Sequence, residues 1–158
     1  MKSKRTVLSA ALTLVLVSVA VVSVALVSSS TAHGKKPIVE CAGATATIVG
    51  TDGPDGILGT AGDDVIHGLG GNDIICGGAG DDSLAARAGN DILVGDAGND
   101  HLDGGGDADT IIGLSGDDTI FGQGGDDQVE GGDGADTIFG QAGDDQLNGG
   151  DGADKRTS

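Results

Sequence analysis

An aliphatic residue recurs at every ninth position through most of this chain: Ile57, Ile66, Ile75, Leu84, Leu93, Leu102, Ile111, Ile120, Val129, Ile138 and Leu147. The residues between them are mostly Gly, Asp and other small or polar types. The last three residues of each nine suit a short strand, whose alternating side chains send the aliphatic residue inward and its neighbours outward. The other six residues then turn the chain through half a circuit. Two nonapeptides complete one circuit, which predicts an all-β fold: a parallel β-roll, or β-solenoid, of eighteen-residue coils. The later units display the doubling, since TIFGQGGDDQVEGGDGAD (Thr119 to Asp136) recurs almost unchanged as TIFGQAGDDQLNGGDGAD.

Cut at Gly50, the stretch 50–157 divides into twelve nonapeptides with no insertion or deletion. Asp holds the sixth place of every one: Asp55, Asp64, Asp73, Asp82, Asp91, Asp100, Asp109, Asp118, Asp127, Asp136, Asp145 and Asp154. Gly opens eleven units and fills the fourth place of eleven, where positive φ or close backbone packing suits it. GGAGDDSLA (Gly77 to Ala85) and GGDGADTIF (Gly131 to Phe139) match G-G-x-G-x-D-x-U-x throughout, with U a large apolar residue. This is the nonapeptide template of calcium-binding parallel β-helices. On these residues the chain resembles the RTX (repeats-in-toxin) family over about two thirds of its length.

Units two apart stack on the same side of such a coil, about 4.8 Å from each other. Their Asp carboxylates converge there with carbonyls of the Gly-rich turns, an all-oxygen environment suited to Ca²⁺ rather than Mg²⁺. No thiolate or imidazole set for zinc exists, the only histidines being His33, His67 and His101. Tight turns alone would accept Asn or Ser at the sixth place. Asp in all twelve units argues for a charge requirement. The resemblance implies the same: the twelve sixth-place Asp residues are the metal ligands, and Ca²⁺ sits between adjacent same-side turns. Twelve turns leave at most about ten such gaps.

Composition makes the metal more than an ornament. The chain of 158 residues has 1% aromatics, 32 Gly and a formal charge of -17. Few side chains bury large apolar area, and Gly is costly to order. Stacked carboxylates repel. The expectation is a repeat region that is disordered without metal and folds as Ca²⁺ binds. The negative charge also excludes nucleic acid and anionic membrane surfaces as partners.

Residues 1–32 read as a signal peptide. Lys2, Lys4 and Arg5 precede an uncharged, mostly apolar run from Val7 to Val27, and Ser30, Thr31 and Ala32 offer a cleavage site. The run is long enough to span a bilayer, but its Ser and Thr residues weaken the reading as an uncleaved anchor. The expected location is therefore secreted, with retention at the cell surface left open. Residues 33–49 form a linker and, in CAGATATIV (Cys41 to Val49), either a degenerate capping coil or an ordinary extended leader. There Ile48 keeps the apolar place while Ala46 replaces the Asp. Family members commonly lack a cleaved N-terminal signal and carry a C-terminal capping segment, and both points differ here.

The register also has local breaks. Unit five opens with Ala86 and Arg87, unit seven has Asp107 at the fourth place, and Arg156 takes the core place of unit twelve. Asp154 is accordingly the weakest ligand candidate, and the open end invites end-to-end association. Phe121 and Phe139 should stack on one sheet; Leu58, Cys76, Val94 and Ile112 should line the other, as internal stacking or as a patch for a protein or cell-surface partner. Whether Cys41 and Cys76 pair is open. There is no H-E-x-x-H and no G-x-S-x-G, and nothing else points to catalysis. The reading is a non-enzymatic, exported Ca²⁺-binding β-roll. The alternatives are a Ca²⁺-dependent adhesin and a repeat module serving a separate exported enzyme or toxin.

Overall fold

Each nonapeptide contributes one strand, and successive strands fall alternately into two parallel sheets. The computed structural model describes residues 46–158. The signal segment, the linker before Ala46 and Cys41 lie outside the described residues. The strands are β1 (Ala46–Val49), β2 (Gly56–Leu58), β3 (Asp64–Gly70), β4 (Ile74–Ala79), β5 (Ser83–Ala88), β6 (Ile92–Ala97) and β7 (His101–Gly106). They continue with β8 (Thr110–Ser115), β9 (Thr119–Gly124), β10 (Gln128–Asp133), β11 (Thr137–Ala142), β12 (Gln146–Asp151) and β13 (Lys155–Thr157). The odd strands form a seven-stranded sheet in the order β1-β3-β5-β7-β9-β11-β13; the even ones form a six-stranded sheet, β2 to β12. Every strand therefore pairs with the strand two units away, eighteen residues on, as the doubled repeat predicts.

The strands are longer than the three residues expected from the pattern. Most run six residues, from the seventh place of one unit to the third place of the next. The ladder is interrupted at the first place: Thr110, Ile111 and Ile112 pair with Gln128, Val129 and Glu130, and pairing resumes at Leu114 with Gly132. The next residue has positive φ, in units three to twelve, whether it is Gly or not: Leu69, Arg87, Asp96, Leu114, Gln123 and Gln141 all adopt it. A strand can thus bend sharply at the first and second places and keep pairing beyond the bend. Only the fourth to sixth places remain for the turn proper. Glycine at the fourth place has a double reason: Gly116 has φ +129, and a Cβ there would lie 1.9 Å from the Gly98 carbonyl oxygen. Asp107, the lone substitute, takes φ 75, a conformation that Asp tolerates.

The interior is a few atoms wide. From Ile66 to Ile138 the eighth-place column is buried, with Ile48, Ile57 and Leu147 packed against it at the ends. The first place also points inward: Ala86, which replaces Gly in unit five, is fully buried. Beside these two columns run the sixth-place Asp residues, nine of which are no more than 2% exposed. Each layer thus consists of one aliphatic side chain, one carboxylate and one glycine per half-coil.

The leader and the far end behave as the register implies. Ala46 pairs with Asp64 and Ile48 with Ile66, so the last four residues of CAGATATIV add a strand in repeat register. At the other end, Arg156 occupies the core place but is exposed, and its Nη1 donates to the Leu147 carbonyl at 3.1 Å. Leu58, Cys76, Val94 and Ile112 align across the six-stranded sheet. Phe121 and Phe139 stack on the other, with ring centroids 5.0 Å apart and planes 10° from parallel.

Candidate metal centre

The sixth-place residue ends the turn and faces the interior, so each Asp is delivered to the same point of successive coils. Asp55, Asp73, Asp91, Asp109, Asp127 and Asp145 form one column; Asp64, Asp82, Asp100, Asp118, Asp136 and Asp154 form the other. Within a column, each backbone N–H donates to the Oδ1 of the Asp eighteen residues later. Ten such bonds, at 2.7 to 3.2 Å, run from Asp55–Asp73 to Asp136–Asp154. The ten same-side gaps counted in the sequence are these ten bridges.

The second oxygen has no such partner. Oδ2 of Asp73, Asp82, Asp91, Asp100, Asp109, Asp118, Asp127, Asp136 and Asp145 is buried and accepts no hydrogen bond. Eight of the nine point at the first-place glycine of their own unit, and in the unit of Asp91 that place is held by Ala86. A Cβ built on Gly113 would lie 2.2 Å from Asp118 Oδ2 and 2.5 Å from the Gly131 carbonyl oxygen of the next coil. Gly77 repeats the arrangement with Asp82 Oδ2 and the Gly95 carbonyl. In these units carboxylate and carbonyl oxygens therefore converge on space that the first-place glycine leaves free. A buried anionic oxygen without a donor is costly unless a cation or a proton meets it. Among the described residues no three His, Cys, Asp or Glu side chains converge on one point, so carbonyls must make up the donor set. Such hard, all-oxygen surroundings fit Ca²⁺.

Burial shifts the proton equilibria of these groups. Desolvation raises Asp100 to about 6, and Asp109 and Asp118 to about 7; the N–H bond from the preceding coil opposes it, and neighbouring carboxylates add to it. Asp73, Asp82, Asp91, Asp127 and Asp136 move in the same direction for the same leading reason. With folded values above the unfolded 3.8, the metal-free fold binds more protons than the unfolded chain. Its stability is therefore favoured below about pH 4 and lost as pH rises through about 6 to 7. Metal-depleted chain should gain strand signal in far-ultraviolet circular dichroism as pH falls from 8 to 5. A flat or opposite trend would contradict the linkage.

The fifth place carries a ladder that the sequence reading missed. Asp81 N–H donates to Asp63 Oδ1, Asn99 N–H to Asp81 Oδ1, and Asp117 N–H to Asn99 Oδ1, at 2.8 to 3.0 Å on the exposed turn. The signal was present, since Asp or Asn fills this place in most units. Asp and Asn interchange there because only an acceptor is needed. At the buried sixth place Asn never occurs, which separates a charge requirement from turn chemistry.

Coil, bridged carboxylate columns and glycine-lined oxygens define a parallel β-solenoid built to concentrate negative charge inside its turns. The family model of the RTX calcium-binding nonapeptide repeat matches residues 49–84, 85–120, 103–138 and 121–155. The chain belongs to that family and is a calcium-binding repeat protein. No curated protein and no solved structure matches it.

Proposed function

We propose that this is a secreted, non-catalytic protein whose β-roll is held together by Ca²⁺ along both carboxylate columns. The observation that carries the reading is the set of nine buried Oδ2 atoms with no hydrogen-bond donor. Asp73, Asp82, Asp91, Asp100, Asp109, Asp118, Asp127, Asp136 and Asp145 would hold the ions, with first-place carbonyls completing the sites. Asp154 is the last of its column and accepts the Asp136 N–H. Bound Ca²⁺ supplies the positive charge that these buried carboxylates lack. The Oδ1 bridges orient each carboxylate, and in every one of these units but that of Asp91, where Ala86 stands, the absence of a first-place side chain keeps the other oxygen accessible to the cation.

The non-catalytic role rests on the repeat register, which absorbs every residue from Gly50 to Thr157. The export reading rests on the basic residues, apolar run and small residues of 1–32. Protein recovered outside the cell should lack that segment by mass. Equilibrium dialysis should find several Ca²⁺ bound per chain, cooperatively, because each coil needs its neighbour. Mg²⁺ at the same concentration should not substitute, since it favours a rigid octahedral, partly hydrated shell. Equal uptake of Mg²⁺, or no uptake of Ca²⁺, rules the reading out.

A further inference from the structure

The first two units differ from the other ten in a way that bears directly on the metal. We propose that Thr51 and Thr60 keep cations out of the first coil, so that Gly50 to His67 is a metal-independent start for a calcium-dependent array. The inference rests on the calcium reading above and adds where in the chain it stops.

In units three to twelve, both the second-place and fourth-place residues have positive φ, from Leu69 and Gly71 through Gly150 and Gly152. Thr51, Gly53, Thr60 and Gly62 do not. Thr is β-branched, and positive φ is the conformation such residues tolerate least. Six other non-glycine residues accept it at the second place, none of them β-branched.

The alternative turn has a chemical consequence. The Thr51 N–H donates to Asp55 Oδ2 at 2.6 Å, and the Thr51 hydroxyl donates to the same oxygen at 2.9 Å. The Thr60 N–H likewise donates to Asp64 Oδ2. The oxygen that is bare in the following nine units is therefore already satisfied in these two. The Thr hydroxyls also capture the fourth-place N–H groups, from Gly53 at 3.2 Å and Gly62 at 3.3 Å. In later units that N–H crosses to the next same-side coil, as Gly71 does to the Ala88 carbonyl at 2.9 Å. The first two turns close on themselves; the others open toward their neighbours. Asp64 keeps one oxygen without a donor, Oδ1. That is the oxygen which bridges coils elsewhere, not the one left free for a cation.

A solenoid in which each unit needs a neighbour benefits from one coil that forms without ligand, because later coils then add to an existing edge. The test compares Ca²⁺ bound per chain by equilibrium dialysis, on the full chain and three double variants. D55N/D64N should bind as many ions as the parent, since Asn retains an acceptor for the Thr N–H. T51G/T60G should bind more than the parent, because glycine lets the turns adopt the open form. D100N/D118N should bind fewer. A lower count in D55N/D64N, or no gain in T51G/T60G, overturns the assignment. A parent chain that binds no Ca²⁺ overturns the calcium reading itself and is distinguishable from either.

Discussion

Chelation of Ca²⁺ at neutral pH should remove most of the strand signal of this chain, sparing at most the first coil, and returning the ion should restore it. That is the largest effect expected, and it follows from how the interior is built. Between Ile66 and Ile138 each nonapeptide contributes one aliphatic side chain to the core, beside one buried carboxylate. The hydrophobic contribution per ordered residue is therefore small, while the backbone entropy to be overcome is that of a glycine-rich chain. Neutral pH adds repulsion along each Asp column, whose carboxyls are raised first by burial and further by one another's charge. With extracellular-type affinities of about 10⁻⁴ to 10⁻³ M, millimolar Ca²⁺ adds roughly 0.4 to 1.4 kcal/mol per site. Single sites matter little on that scale; several acting together decide whether the fold exists. The measurement is a Ca²⁺ titration followed by circular dichroism, with Mg²⁺ as the control. A native strand spectrum in excess chelator at pH 7.5 would show that the core suffices alone.

Ile120→Ala in saturating Ca²⁺ is the second large effect. Ile120 is fully buried and stacks between Leu102 and Ile138, its register partners on either side. Ile120 shares one core with the aliphatic column of the facing sheet, so the loss should fall within the range of about 2 to 5 kcal/mol for truncating a buried aliphatic residue. Its position at mid-array makes it worse, since a weakened coil uncouples the coils on both sides. Leu147→Ala should cost clearly less, because Leu147 is only partly buried. Urea midpoints of the two variants provide the comparison. Equal losses would mean that the column does not transmit stability along the array.

Much of this architecture is legible because a solenoid converts sequence period directly into space. Asp at every sixth place and an aliphatic residue at nearly every eighth are enough to predict two parallel sheets, eighteen-residue coils and ten same-side gaps. The Phe121–Phe139 stack follows from the same count. The bend within each strand was not legible. Leu69, Arg87 and Gln123 have no shared chemistry that marks the second place for positive φ. Their conformation is imposed by pairing with neighbours eighteen residues away, and tertiary contacts override local preference.

The same division holds at the metal centre. By itself the sequence determined which residues carry the charge, because a requirement repeated twelve times is readable without coordinates. It could not determine that the two oxygens of each carboxylate have different fates, one bridged and one bare. That distinction depends on where the backbone N–H of the preceding coil points. Nor did the sixth-place register separate Asp55 and Asp64 from the nine Asp residues that run from Asp73 to Asp145. Only the folded turns reveal that a threonine hydroxyl and N–H have already satisfied Asp55 Oδ2, and a threonine N–H Asp64 Oδ2. Hydrogen-bond direction is a property of three-dimensional neighbours, and no period along the chain encodes it.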